Sequence, residues 1–231
     1  MYSNRVFMLF GILAMLTLAV SAQRSGNVSD ADISLALREA LGNGVKSAIK
    51  TLGKTDGFLQ NPRVKIPLPK NLQKVEKALR VAGQGKAVDE FVVSMNRAAE
   101  KAVPVAIDVF IDSIKQMTFE DVRQILFSKD QDSATQFFRR TSEEKLREKF
   151  RPIVENATTQ VGVTQKYKSM IGRYGFAAKF LGHDVSDIDG YVTQKALDGL
   201  FLYIADEERK IRKDPIRRTT SLLKKVFGIL R

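Results

Sequence analysis

The sequence predicts an all-α, single-domain multi-helix bundle of about eight to ten helices, preceded by a cleaved signal peptide. Three observations predict it. Apolar residues recur at three- and four-residue spacing along most of the chain. Strand-like alternation never extends beyond a few residues, and neither an internal repeat nor a composition break divides the sequence. Of the 231 residues 44% are apolar and 28% charged, with 15 Gly and 6 Pro, a balance that suits a folded domain and not a low-complexity chain.

In chain order, Arg5 precedes an apolar run over residues 6–20, and the small residues Ser21 and Ala22 precede Gln23. A charged start, a short apolar stretch and a small-x-small exit describe a secretory signal peptide cut after Ala22. The run falls short of the roughly 20 residues a spanning helix needs. Residues 1–22 are therefore expected to be the signal, 23–32 a flexible N-terminus and 33–231 the helical domain, secreted to an extracellular or periplasmic space. Asn27 and Asn156 open glycan-acceptor triplets, which matter only in a eukaryotic source.

Ser29 followed by Asp32 marks a helix start, and Ile33, Leu37, Leu41, Val45, Ala48, Ile49 and Leu52 form its apolar stripe up to the stop at Gly53. Asp56-Gly57, Asn61-Pro62, Pro67 and Pro69 make residues 54–69 the longest irregular loop. Pro69 suits the first turn of a second helix that ends near Gly83, with Leu72, Val75 and Leu79 inward. A long stripe from Val88 through Met95 and Phe110 to Met117 is interrupted at Pro104, which predicts two helices or a kink. Thr118 caps a short helix ending at Phe127.

Phe137 and Phe138 lie on a further helix, and Thr141 with Glu144 reads as a capping box opening the segment of Leu146, Phe150, Ile153 and Val154, which Pro152 should bend. Gly162, Gly172, Gly175 and Gly182 divide the next region into short pieces, and residues 183–190 read as a loop. A long helix is expected over 191–213, and a last one over 216–229.

Six stretches in order carry a family resemblance: Leu72-Gln73-Lys74-Val75-Glu76-Lys77-Ala78-Leu79-Arg80, residues 95–104, Met117-Thr118-Phe119-Glu120-Asp121, Phe137-Phe138-Arg139-Arg140-Thr141, Phe150-Arg151-Pro152-Ile153-Val154 and Ala196-Leu197-Asp198-Gly199-Leu200-Phe201. Together they resemble the exported, mostly bacterial family known as domain of unknown function 4197, over roughly residues 33–228. The resemblance implies one exported helical domain and assigns no catalytic residue. Many members look like lipoproteins, whereas this chain has no Cys at its expected cut site.

Composition narrows the chemistry. The chain has no Cys and one His, which excludes thiol nucleophiles, disulfides and any metal centre built on thiolates or paired histidines. No catalytic residue, metal or cofactor is expected. Ser47 with Lys50 and Ser221 with Lys224 fit Ser-x-x-Lys, but the companion motifs are missing and surface serines account for them. His183 lacks a paired nucleophile. Asp184, Asp187 and Asp189 are misspaced for a calcium loop, and a helix cap at Asp187 or Asp189 is the plainer account. Asp108 and Asp112 share a face with Lys101 and Lys115, as in a row of solvated ion pairs. Glu100, at the stripe's edge with Asn96, is expected to hold an internal Arg such as Arg139 in a structural polar pair.

Charge is the strongest remaining signal. The formal net charge is +12. Residues 60–86 carry seven cations and one anion, and residues 207–231 nine and three, while 87–121 carry three and seven. Such segregation predicts an anion-attracting face of Arg217, Arg218, Lys224 and Lys225, joined by Lys65, Lys70 and Lys74. The last helix suits an anionic membrane surface, or docking on the bundle with a solvated cationic rim, the plainer alternative. The leading expectation is an exported, non-enzymatic binding or structural module for anionic surfaces or acidic macromolecules; nucleic acid is disfavoured because no recognised motif or aromatic platform is present. A second is a carrier of a small apolar ligand near Met95, Phe110, Phe137 and Phe201, and a third an enzyme with a carboxylate and Arg site at Glu100, Arg139 or the loop bearing Asp184 and Asp189.

Overall fold

The computed structural model describes residues 29–160 and 187–213. All regular structure among them is helical: α1 (Asp30–Leu52), a single 3-10 turn (Lys70–Leu72), α2 (Gln73–Val81), α3 (Gly85–Ala102), a second 3-10 turn (Val103–Val105), α4 (Ala106–Gln116), α5 (Phe119–Phe127), α6 (Ser133–Gln160) and α7 (Ile188–Lys213). The described residues thus hold seven α-helices, against the eight to ten expected for the whole chain.

One reason for the difference lies in α6. The Thr141–Glu144 box does not start a helix, because the Thr141 hydroxyl donates back to the Phe137 carbonyl at 2.9 Å inside a continuous helix. The buried stripe of Phe138, Ser142, Leu146, Phe150 and Val154 runs without interruption past that point and through Pro152. Packing of one long apolar face outweighs a local capping option.

Other starts and stops are local. Asp32 N–H donates to Ser29 Oγ at 3.1 Å and Ser29 N–H to Asp32 Oδ2 at 3.1 Å, a closed capping box, with Gly53 at the far end. Thr118 and Asp121 repeat the arrangement at α5. Pro104 sits in the 3-10 turn that separates α3 from α4.

α7 packs against α6, α1 and α3, and α6 also packs against α3 and α4. At the centre the Phe110 ring of α4 meets Phe138 of α6 edge to face at 5.2 Å and Phe201 of α7 at 6.0 Å. α2 is peripheral, with α3 as its main helical partner. No helix among the described residues is long and apolar enough to cross a membrane.

The irregular stretch 53–69 joins the core instead of covering it: Phe58 and Ile66 are fully buried, and Val64 and Leu68 nearly so. A close approach makes this possible at Gly199 of α7, where a Cβ would lie 2.8 Å from the Phe58 ring and 3.2 Å from Val64.

Candidate functional site

Burying a loop exposes its backbone donors and acceptors to a medium that cannot hydrate them, so each needs a partner. Three residues of one face of α3 supply many of them. The Asn96 amide accepts from Ile66 N–H at 2.8 Å and donates to the Ile66 carbonyl at 2.9 Å. The Glu100 carboxylate accepts from Phe58 N–H at 3.0 Å and Leu59 N–H at 3.1 Å, and from Arg97 at 2.6 Å. Arg97 also reaches Asp56 at 2.7 Å, a residue with φ 66° in the turn. The Glu100 and Asp56 carboxylates hold the Arg97 guanidinium more firmly protonated, Glu100 foremost. From α7, Tyr191 Oη donates to the Pro67 carbonyl at 3.0 Å, and Tyr203 Oη accepts from Asn61 at 2.5 Å.

The expected Glu100–Arg139 pair is therefore not formed. Glu100 is turned to the 53–69 segment, where a helix-borne Arg three residues away suffices. Arg139 lies on the exposed side of α6, bonded to Glu143 at 3.1 Å, with its guanidinium 4.4 Å above the Phe201 ring.

A second buried anion does similar work. Glu208 of α7 accepts from Ala134 N–H at 3.0 Å and Thr135 N–H at 2.9 Å, so a distant side chain caps the first turn of α6. Its partner Arg212, at 2.8 Å, donates to the Ile125 carbonyl near the end of α5. Arg38 of α1 likewise bonds the Ile114, Lys115 and Met117 carbonyls at the end of α4. Sequence reading missed Arg38, Arg97, Glu208 and Arg212. The one available signal was a charged residue on or beside an apolar stripe.

These carboxylates are spent on backbone and guanidinium donors, which leaves the enzyme-like candidates with structural work. Asp187 accepts from Gly190 N–H at 2.8 Å at the start of α7, the capping role expected of it, and Asp189 accepts from the Thr158 hydroxyl at 2.7 Å. Asp112 lies 4.0 Å from Lys115 on the exposed face of α4. Met95, Phe110, Phe137 and Phe201, the expected ligand-carrier lining, are all buried. His183 and Asp184 lie outside the described residues.

Cations dominate the exposed side chains from residue 63 to residue 86. Lys65 and Lys70 are exposed on the pinned segment and the 3-10 turn, and Lys74 falls on α2. Lys77, Arg80 and Lys86 extend the series, all exposed. Arg80 bonds Glu76 at 3.0 Å and Asp89 at 2.7 Å. The Arg80 hydrogen bond holds the Asp89 carboxyl below the usual carboxylate range, with a smaller contribution from the charge of Lys65. Lys70, Lys77 and Lys86 have no ion pair among the described residues. Arg217, Arg218, Lys224 and Lys225 lie outside those residues, so their placement relative to this series is not described.

Residues 27–228 match the family described as protein of unknown function (DUF4197). The chain belongs to that family. The match takes in every described element, from the cap of α1 to the end of α7, so the pinned segment, the peripheral α2 and the buried anions all lie within the family domain. No curated protein and no solved structure matches the chain.

Proposed function

We propose that this member of the DUF4197 family is an exported, non-enzymatic module that binds anionic surfaces or acidic partners through a basic face centred on residues 63–86. One contrast carries the reading: the buried acids Glu100 and Glu208 are saturated by internal donors, whereas Lys70, Lys77 and Lys86 are exposed and have no acidic partner among the described residues. Unpaired, solvated lysines clustered in a short segment raise the local positive potential and draw anions from solution. Arg217, Arg218, Lys224 and Lys225, with Lys65 and Lys74, belong to the same reading on sequence grounds.

The test is co-sedimentation with anionic and neutral vesicles over a salt series. Binding confined to anionic vesicles and lost with salt is expected, since exposed charges are screened over about 10 Å at 0.1 M. Lys70→Glu, Lys77→Glu and Lys86→Glu together should reduce binding at least about tenfold while leaving helicity unchanged, because each lysine beside an anionic surface contributes roughly 1 kcal/mol. Wild-type binding by the triple variant would remove the 63–86 face. If neutralising Arg217, Arg218, Lys224 and Lys225 then abolished binding, the face would move to the C-terminal segment.

A further inference from the structure

We infer that the partner of the basic face is a lipid bilayer, and that the turn between α2 and α3 is the part that enters it, with Val81 as the inserting side chain. The inference rests on the anion-binding reading above.

Val81 is 91% exposed, the most exposed of the large apolar side chains among the described residues; Phe127 follows at 63%. It occupies the last position of α2, a helix held to the bundle chiefly by α3 and by the inward Leu79. Directly after it the chain reverses. Gln84 N–H donates to the Leu79 carbonyl at 2.8 Å and Gly83 adopts φ +76°, a left-handed conformation that glycine takes without steric penalty. Ala78, Val81 and Ala82 are thus exposed at the turn between α2 and α3, beside exposed Lys77 and Lys86 and the ion-paired Arg80.

An apolar tip flanked by Lys77 and Lys86, unpaired among the described residues, and by Arg80, shared between Glu76 and Asp89, matches a layered partner. Headgroup phosphates meet the ammonium groups while the tip passes to the acyl boundary, where an apolar side chain gains by leaving water. A soluble polyanion offers the charge without the apolar layer, so Val81 would be indifferent to it. Phe127 lies in a stretch where acids outnumber cations, with Glu120, Asp121, Asp130 and Asp132 against Arg123 and Lys129.

The chain contains no Trp, so Val81→Trp places a single indole fluorophore at the tip. Protein purified after export would be used, to keep the apolar 6–20 stretch from partitioning by itself. With vesicles of phosphatidylglycerol and phosphatidylcholine the emission of this variant should shift to the blue and acrylamide quenching should fall severalfold; neutral vesicles and heparin should leave both unchanged. Val81→Asp, with its helicity verified by circular dichroism, should weaken partitioning onto anionic vesicles about tenfold.

Vesicle binding by the Val81→Trp variant with its emission unshifted and freely quenched would overturn insertion while leaving the anion-binding reading intact. Equal responses to heparin and vesicles would identify a soluble acidic macromolecule and overturn the bilayer. No binding to any anion would overturn both.

Discussion

Residues 53–69 and 70–86 are neighbours of similar length, yet the bundle treats them in opposite ways. The first has no regular structure yet sinks Phe58, Val64, Ile66 and Leu68 into the core; the second is mostly helical and largely exposed. In the first, side chains from α3 and α7 take up backbone groups of the loop, and Phe58 and Ile66 fill the core between them. In the second, helical hydrogen bonds already satisfy the backbone, so Leu72 and Leu79 suffice to anchor it and Lys70, Lys77 and Lys86 remain in water. Polar side chains in this fold become structural where a backbone lacks a ladder and stay available for partners where it has one.

The largest expected effect falls on the pinned segment. Glu100→Ala removes the acceptor for two backbone donors and leaves Arg97 short of its partner, which should cost about 3 kcal/mol in denaturant unfolding. Asn96→Ala should follow at about 2 kcal/mol, since both polar groups of Ile66 lose their partner. A loss below 1 kcal/mol in both would mean that the loop is held by its apolar residues alone. Gly199→Ala drives a methyl into the Phe58 ring and should cost about 1–3 kcal/mol, read by the same unfolding curves.

Smaller changes are expected in the hairpin. Gly83→Ala meets no neighbour but retains the positive φ, a strain of about 1 kcal/mol. Lys77→Glu should change stability by less than about 0.5 kcal/mol, so any large effect of that variant on vesicle binding would be functional. The Arg80–Asp89 pair adds a pH signature. Asp89 titrates lower when folded than when unfolded, so its contribution is full above the ordinary Asp value near 4 and fades as pH falls through the depressed folded value. Asp89→Asn should remove this small dependence from acid titrations of stability, and high salt should mask it.

Much of the architecture was legible because it is written within four residues. The caps at Ser29 and Thr118 depend on side chains that reach nearby backbone, and the stop at Gly53 and the break at Pro104 on the backbone properties of glycine and proline. Thr141 and Glu144 present the same local pattern and mislead, because the apolar face of α6 continues through them. Glu100 was legible as a polar residue at the edge of an apolar stripe, but its partners were not. They lie about forty residues back, at Phe58 and Leu59, and spacing along a helix says nothing about a loop that folds against it.

By itself, then, the sequence determined the helical class, most helix boundaries, family membership and the segregation of charge, all of which follow from periodicity, local hydrogen bonding or composition. Tertiary structure decided which polar groups are consumed. Arg38 against the end of α4, Glu208 against the start of α6 and Glu100 against residues 58–59 are long-range satisfactions of buried backbone groups, and only the packed chain reveals which groups water cannot reach.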